Sequence, residues 1–237
     1  MREPQAIPYS GISMFFIIVL SLITWGFYKT YIIFFPSFTG FNNLQHFHGA
    51  MMAIWMAFLI IQPLLIRSGR VTIHRAIGKL SYIVAPLLVV SIFLVSRMVY
   101  HRPEPVVPHE QKIAMIALSI PFLIGFVIFY SLAIINRKET YKHMRYMIAT
   151  SFLMIAPGLG RALIIYYNFS LHDSVNYCNY LVMAITGGLL INDLVKKRSY
   201  SPFAVVLFVF ILMHLAWNFR DSVVWQNVGE AFARFFF

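Results

Sequence analysis

The sequence predicts an all-α membrane protein, a single bundle of seven transmembrane helices spanning residues 1–237, with the N-terminus cytoplasmic and the C-terminus external. Three observations carry this reading. The chain is 60% hydrophobic and only 11% charged, with a mean hydropathy of +0.75, whereas a soluble domain carries about 25% charged residues. Seven stretches, at 11–35, 47–66, 76–99, 112–135, 144–167, 175–195 and 203–225, reach the roughly 20 apolar residues that cross a bilayer. The basic residues divide unevenly: Arg2, Arg67, Arg70, Arg75, Lys79, Arg137, Lys138, Lys142, Arg145, Lys196, Lys197 and Arg198 share one side. Cytoplasmic loops collect Lys and Arg, so that side is cytoplasmic and the chain is a multi-pass inner-membrane protein.

The net charge of +11 is thereby topological, and nucleic acid drops out as a partner. The partners implied are the lipid bilayer and anionic lipid head groups at the cytoplasmic loops. Cys178 is the one cysteine, which excludes an internal disulfide and a cysteine-based zinc site.

The first span is long and has no small-residue cleavage site after it, so it reads as a span and not as a cleaved leader. The second, within "HFHGAMMAIWMAFLIIQPLLI", places His48, Trp55 and Gln62 seven residues apart, on one helix face. Such a line must face the bundle interior, because lipid offers polar groups no partners. His46 and His48 splay by about 200° on a helix, a poor metal pair. The third and fourth spans are joined by the proline-rich "HRPEPVVPHEQ", which reads as an exposed connection.

The fifth span carries His143, Thr150 and Arg161 on one azimuth if the helix is continuous, with "APGLG" before Arg161 allowing a kink and close helix approach. An arginine at that depth needs an anion or must snorkel outward. Asp221 is its expected internal partner. The seventh span places His214, Trp217, Asn218, Asp221 and Trp225 on one face of a continuous helix. His214 suits either a ligand or proton-handling role or a plain interhelical hydrogen bond.

Together these predict a polar pocket open to the outside, walled by spans 2, 5, 6 and 7. Its ligand-binding residues are His48, Trp55, Arg161, His214, Trp217, Asn218 and Asp221, with Lys29 and Arg161 receiving a small anionic ligand that is bound or transported. Two alternatives stay open. One is a membrane redox protein using haem b or quinone, with His48, His74, His143 and His214 as metal-ligating candidates; His74 and His143 would be axial ligands near the inner surface. The other is an accessory or scaffold subunit of a membrane complex, docking through "EAFARFFF".

The run "HFHGAMMAIWMAFLIIQPLLIRSGRVTIHRAIGKLSY", with the later "HMRYMIATSFLMIAPGLGR", resembles a group of uncharacterised bacterial polytopic membrane proteins. The pattern is a His-Gly helix start, a Gln near the helix end, then Arg-x-x-x-His-Arg-x-x-Gly, and a later His-x-x-x-Met helix ending in an intramembrane Arg. The matching residues are His48, Gly49, Gln62, Arg70, His74, Arg75, Gly78, His143, Met147 and Arg161. The resemblance covers spans 2 to 5 and implies a bacterial inner-membrane protein without implying a reaction. A looser likeness to membrane cytochromes b rests on histidines at helix ends.

Overall fold

A computed structural model describes residues 9–103 and 107–237. Among the described residues all regular structure is helical, and seven helical segments are long and apolar enough to cross a membrane. They are α1 (Tyr9–Tyr28), α2 (Asn43–Arg67), α3 (Val71–Tyr100), α4 (His109–Ile135), the two-part span of α5 (Thr140–Phe152) and α6 (Arg161–Tyr167), α7 (Leu171–Val195) and α8 (Ser201–Asn218). A further helix, α9 (Val223–Phe236), follows the last span. The ends of α2, α3, α4, α5, α7 and α8 that carry Arg67, Lys142, Lys196 and their neighbours form the basic end of the bundle; the opposite end is called the far end below.

Local sequence sets several boundaries. Asn42 and Gln45 form a reciprocal capping box that starts α2, and Ser170 and Ser222 cap α7 and α9 through their hydroxyls. Pro63, Pro86 and Pro121 lie inside α2, α3 and α4, as membrane helices tolerate when neighbouring groups satisfy the backbone.

The α5–α6 span is the central one, with 56% of its apolar window buried against 17–39% for the others. Its middle is a π-helical turn over Ala156–Gly160, where Pro157 supplies no N–H for an ordinary helical bond. The turn brings Gly158 against Gly26 of α1. A Cβ on Gly26 would collide with the Gly158 carbonyl oxygen, and one on Gly158 would lie 2.8 Å from the Ile23 Cα. Neither neighbour can yield, because both are backbone, so the crossing exists only with glycine on both sides. The core around this axis is Trp55, Met56, Leu88, Phe126, Phe129, Phe152 and Leu153. Outside it, Phe208, Ile211, Leu212 and Leu215 of α8 and comparable residues of the other spans stay uncovered by the chain, as lipid-facing helices require.

Two boundaries differ from expectation. The first span ends at Tyr28, and residues Ile32–Phe34 form a short 3₁₀ turn. The last span stops at Asn218, not at residue 225: polar Arg220, Asp221 and Ser222 turn the chain, and Ser222 restarts it as α9. Asp221 and Trp225 therefore do not continue the face of His214.

Candidate functional site

The predicted single pocket does not form. The helix carrying His48 and Trp55, α2, packs on α1, α3 and α5, while α8 packs on α4, α5 and α7. The seven expected ligand-binding residues are distributed over separate places.

The α2 line does face neighbouring helices. Ser91 Oγ donates to the Leu88 carbonyl (2.7 Å), so it accepts from His48 Nδ1–H (3.0 Å), which leaves the His48 proton on Nδ1. Trp55 is fully buried between the rings of Phe126 and Tyr130, and its indole N–H donates to Thr150 Oγ1 (3.2 Å). With its amide turned to suit its neighbours, Gln62 donates to the His74 carbonyl (3.2 Å) and to His74 Nδ1, and accepts from the Gly78 N–H (3.2 Å). The stripe is thus a row of polar ties from α2 to α3 and α5. His46 points elsewhere, its Nδ1 bonded to the Tyr31 hydroxyl (2.5 Å) among Phe38 and Phe41.

The metal candidates do not converge. Among the described residues no group of three His, Cys, Asp or Glu side chains could hold a metal ion. His74 and His143 do lie within electrostatic range of each other. His143 Nδ1–H donates to the Ala133 carbonyl (2.8 Å), leaving Nε2 as an acceptor. His74, however, accepts from Gln62 on Nδ1, so its neutral ring carries the proton on Nε2. Axial haem ligation needs a free, unprotonated nitrogen from each ring, and the one that His74 has is held by the Gln62 amide, so this pair does not fit haem b as it stands.

Four of the expected residues, His214, Trp217, Asn218 and Asp221, meet at the far end of α7 and α8. Asn218 and Asn176 exchange amide hydrogen bonds (2.9 and 3.2 Å), and the Asn218 amide also donates to the His214 carbonyl (2.8 Å). His214 packs on the Tyr180 ring. Arg220 donates to His172 Nδ1 (2.9 Å) and the Trp217 carbonyl (2.8 Å), lies over the Trp217 ring, and pairs with Asp221 (3.1 Å). Arg220 was the missed residue. Its position in "NFRDS", just past an apolar run, marks it as the charge that closes the last span. Asp221 is thereby taken, and the expected Arg161–Asp221 pair is absent.

Arg161 stands apart, at the α1–α6 corner. The π turn changes the number of residues per turn, so the azimuth computed for one continuous helix does not hold: Thr150 meets Trp55 on α2, while Arg161 turns to α1. Its guanidinium lies 4.4 Å from the Phe27 ring centroid and donates one long hydrogen bond to Thr30 Oγ1 (3.4 Å). Lys29 sits over the ring of Tyr166, a residue of the same α6, and Arg102 is within electrostatic range of Arg161. Among the described residues no carboxylate pairs with Arg161. Arg161 begins the seven-residue α6, so it lies about 9 Å inside the far end at 1.5 Å per residue.

A small internal cavity lies between α4, the π turn, α7 and α8, lined by Cys178, Asn179 and Trp217 among apolar side chains; at about 20 Å³ it has room for one water.

Compared with protein-family models, with functionally described proteins and with solved structures, the chain finds no match in any of the three. The fold and the geometry above define its class: an integral membrane protein with seven membrane-spanning helices.

Proposed function

We propose that this integral membrane protein binds an anionic group at the far end of the bundle, with Arg161 as its principal contact and Lys29 and Arg102 contributing to the field. The observation that carries the reading is Arg161 itself: a guanidinium with five donors, inside a membrane span, that makes one long bond to a hydroxyl and pairs with no carboxylate among the described residues. Charge at membrane depth costs about 2.5–3.5 kcal/mol on insertion scales unless it is compensated. The matching partner is a phosphate or carboxylate, which accepts two parallel N–H bonds from arginine.

The orientation belongs to the same proposal. With the basic end cytoplasmic, the chain is an inner-membrane protein whose Arg161 corner opens outward, and Arg67, Arg70 and Arg75 meet anionic head groups on the inside.

The test uses protein purified in neutral detergent and its Arg161→Gln variant. Melting is followed with added phosphatidylglycerol, with phosphatidylcholine, and with inorganic phosphate. Stabilisation of the parent by phosphatidylglycerol alone identifies a lipid head group, and stabilisation by phosphate identifies a soluble anion; either should be lost in the variant. Equal responses of parent and variant to all three would sink the proposal.

A further inference from the structure

The helix α9 has three distinct faces, and one has no cover from the chain. At about 100° per residue, Trp225, Gly229 and Ala233 form one sector, Asn227, Glu230 and Arg234 a second, and Val224, Val228, Ala231 and Phe235 a third. The first sector is packed. Ala233 joins Ile113 and Ile116 of α4 in a small core, and the Trp225 indole N–H donates to the Ile113 carbonyl (3.4 Å). Gly229 allows the crossing, since a Cβ there would lie 2.6 Å from Ile113 Cγ2. The second sector is polar and tied to the start of α4: Glu230 accepts from His109 Nε2 (2.8 Å) and from Arg234 Nε (3.1 Å). The third is apolar and bare, with Val224 74%, Val228 57% and Phe235 88% exposed.

We propose that α9 is an in-plane interfacial helix whose Val224–Val228–Phe235 sector is covered by lipid of the leaflet in which α8 ends. Three relations on the structure point to lipid as the occupant. Only Phe219 to Ser222 separate α9 from α8, so α9 starts at the membrane boundary. The apolar surface that α8 leaves uncovered reaches this boundary through Leu215 and Phe219, and the bare sector takes it up at Val224. The polar sector meets His109, the first residue of α4, while the packed sector meets Ile113 and Ile116 farther into that span. The polar edge therefore points out of the membrane, which leaves the helix lying along the surface with its apolar side in the acyl boundary. Of the terminal aromatics, Phe232 and Phe237 pack on the chain's own core, while Phe235 and Phe236 stay exposed.

Nitroxide labels on single introduced cysteines test this in full-length protein reconstituted in phosphatidylethanolamine–phosphatidylglycerol vesicles; Cys178 is fully buried and stays unlabelled. The sites are Val228→Cys and Val224→Cys in the bare sector and Asn227→Cys in the polar one. Labels at 228 and 224 should collide more with oxygen than with a water-soluble nickel chelate, and the label at 227 should show the reverse. Because the two bare positions report independently, failure of one variant to fold leaves the other. Preferential collision of the 228 and 224 labels with the nickel chelate overturns the proposal. So does immobilisation with shelter from both reagents, which would mean a protein partner or a second copy covers the face.

Discussion

Arg145 and Asp193 form a bidentate ion pair, 2.8 and 2.6 Å, between the basic-end turns of α5 and α7, with both residues almost wholly buried. The guanidinium is also flanked by the Tyr141 and Phe203 rings, so three side chains, from α5, α7 and α8, converge on it. Removing one member of a buried pair leaves an uncompensated charge and costs about 3–5 kcal/mol. Arg145→Ala and Asp193→Ala should each lower the melting temperature in detergent markedly. The double variant Arg145→Met with Asp193→Leu should sit closer to the parent than either, a comparison read from the same melts.

Trp55 and Thr150 give a second packing test. Thr150 Oγ1 donates to the Met147 carbonyl (2.7 Å) and accepts from the buried indole. Thr150→Val keeps the shape and strands the indole N–H, a loss of about 1–3 kcal/mol. Trp55→Phe in the Thr150→Val background should recover part of it; no recovery would assign the loss to packing alone.

The Gly26–Gly158 crossing predicts a contrast within one residue type. Gly26→Ala and Gly158→Ala drive a methyl into backbone and should destabilise by about 1–3 kcal/mol or more. Gly187→Ala and Gly188→Ala, where a Cβ meets nothing within 4 Å, should be neutral or gain up to about 1 kcal/mol from helix propensity. Equal effects at all four positions would mean the crossing is loose.

The seat of α9 should depend on pH. The hydrogen bond from His109, then that from Arg234, holds the Glu230 carboxyl below the ordinary carboxylate range. A carboxyl whose folded value is depressed contributes stability that is present above its unfolded pKa and is lost as pH falls through the folded value. A label at Asn227→Cys should therefore grow more mobile as the pH falls below about 4.3, the ordinary Glu value, and Glu230→Gln should remove that dependence.

The orientation is checked with a membrane-impermeant thiol reagent on intact cells. Phe169→Cys, beyond α6, should label and Ser68→Cys, beyond α2, should not; the opposite pattern reverses the topology.

The sequence by itself determined the seven spans, because crossing hydrocarbon needs a local run of apolar residues and nothing from elsewhere in the chain. It also determined that His48, Trp55 and Gln62 point inward, since a seven-residue period is a property of one helix. In "LINDLVKK" the sequence also places Asp193 near enough to neutralise a basic helix start, because both charges end spans that the hydropathy puts on one side. Which helices stand side by side was decided only by the tertiary structure, and the predicted pocket failed there: His48 meets Ser91 on α3, His214 meets Tyr180 on α7, and α2 does not pack on α8. Arg161 shows the physical reason most directly. Its face was computed for a continuous helix of about 3.6 residues per turn, but the π turn at Ala156–Gly160, fitted against Gly26, rotates everything after it. A side chain's azimuth beyond a break, and the neighbour it then finds, are set by how helices pack and not by spacing along the chain.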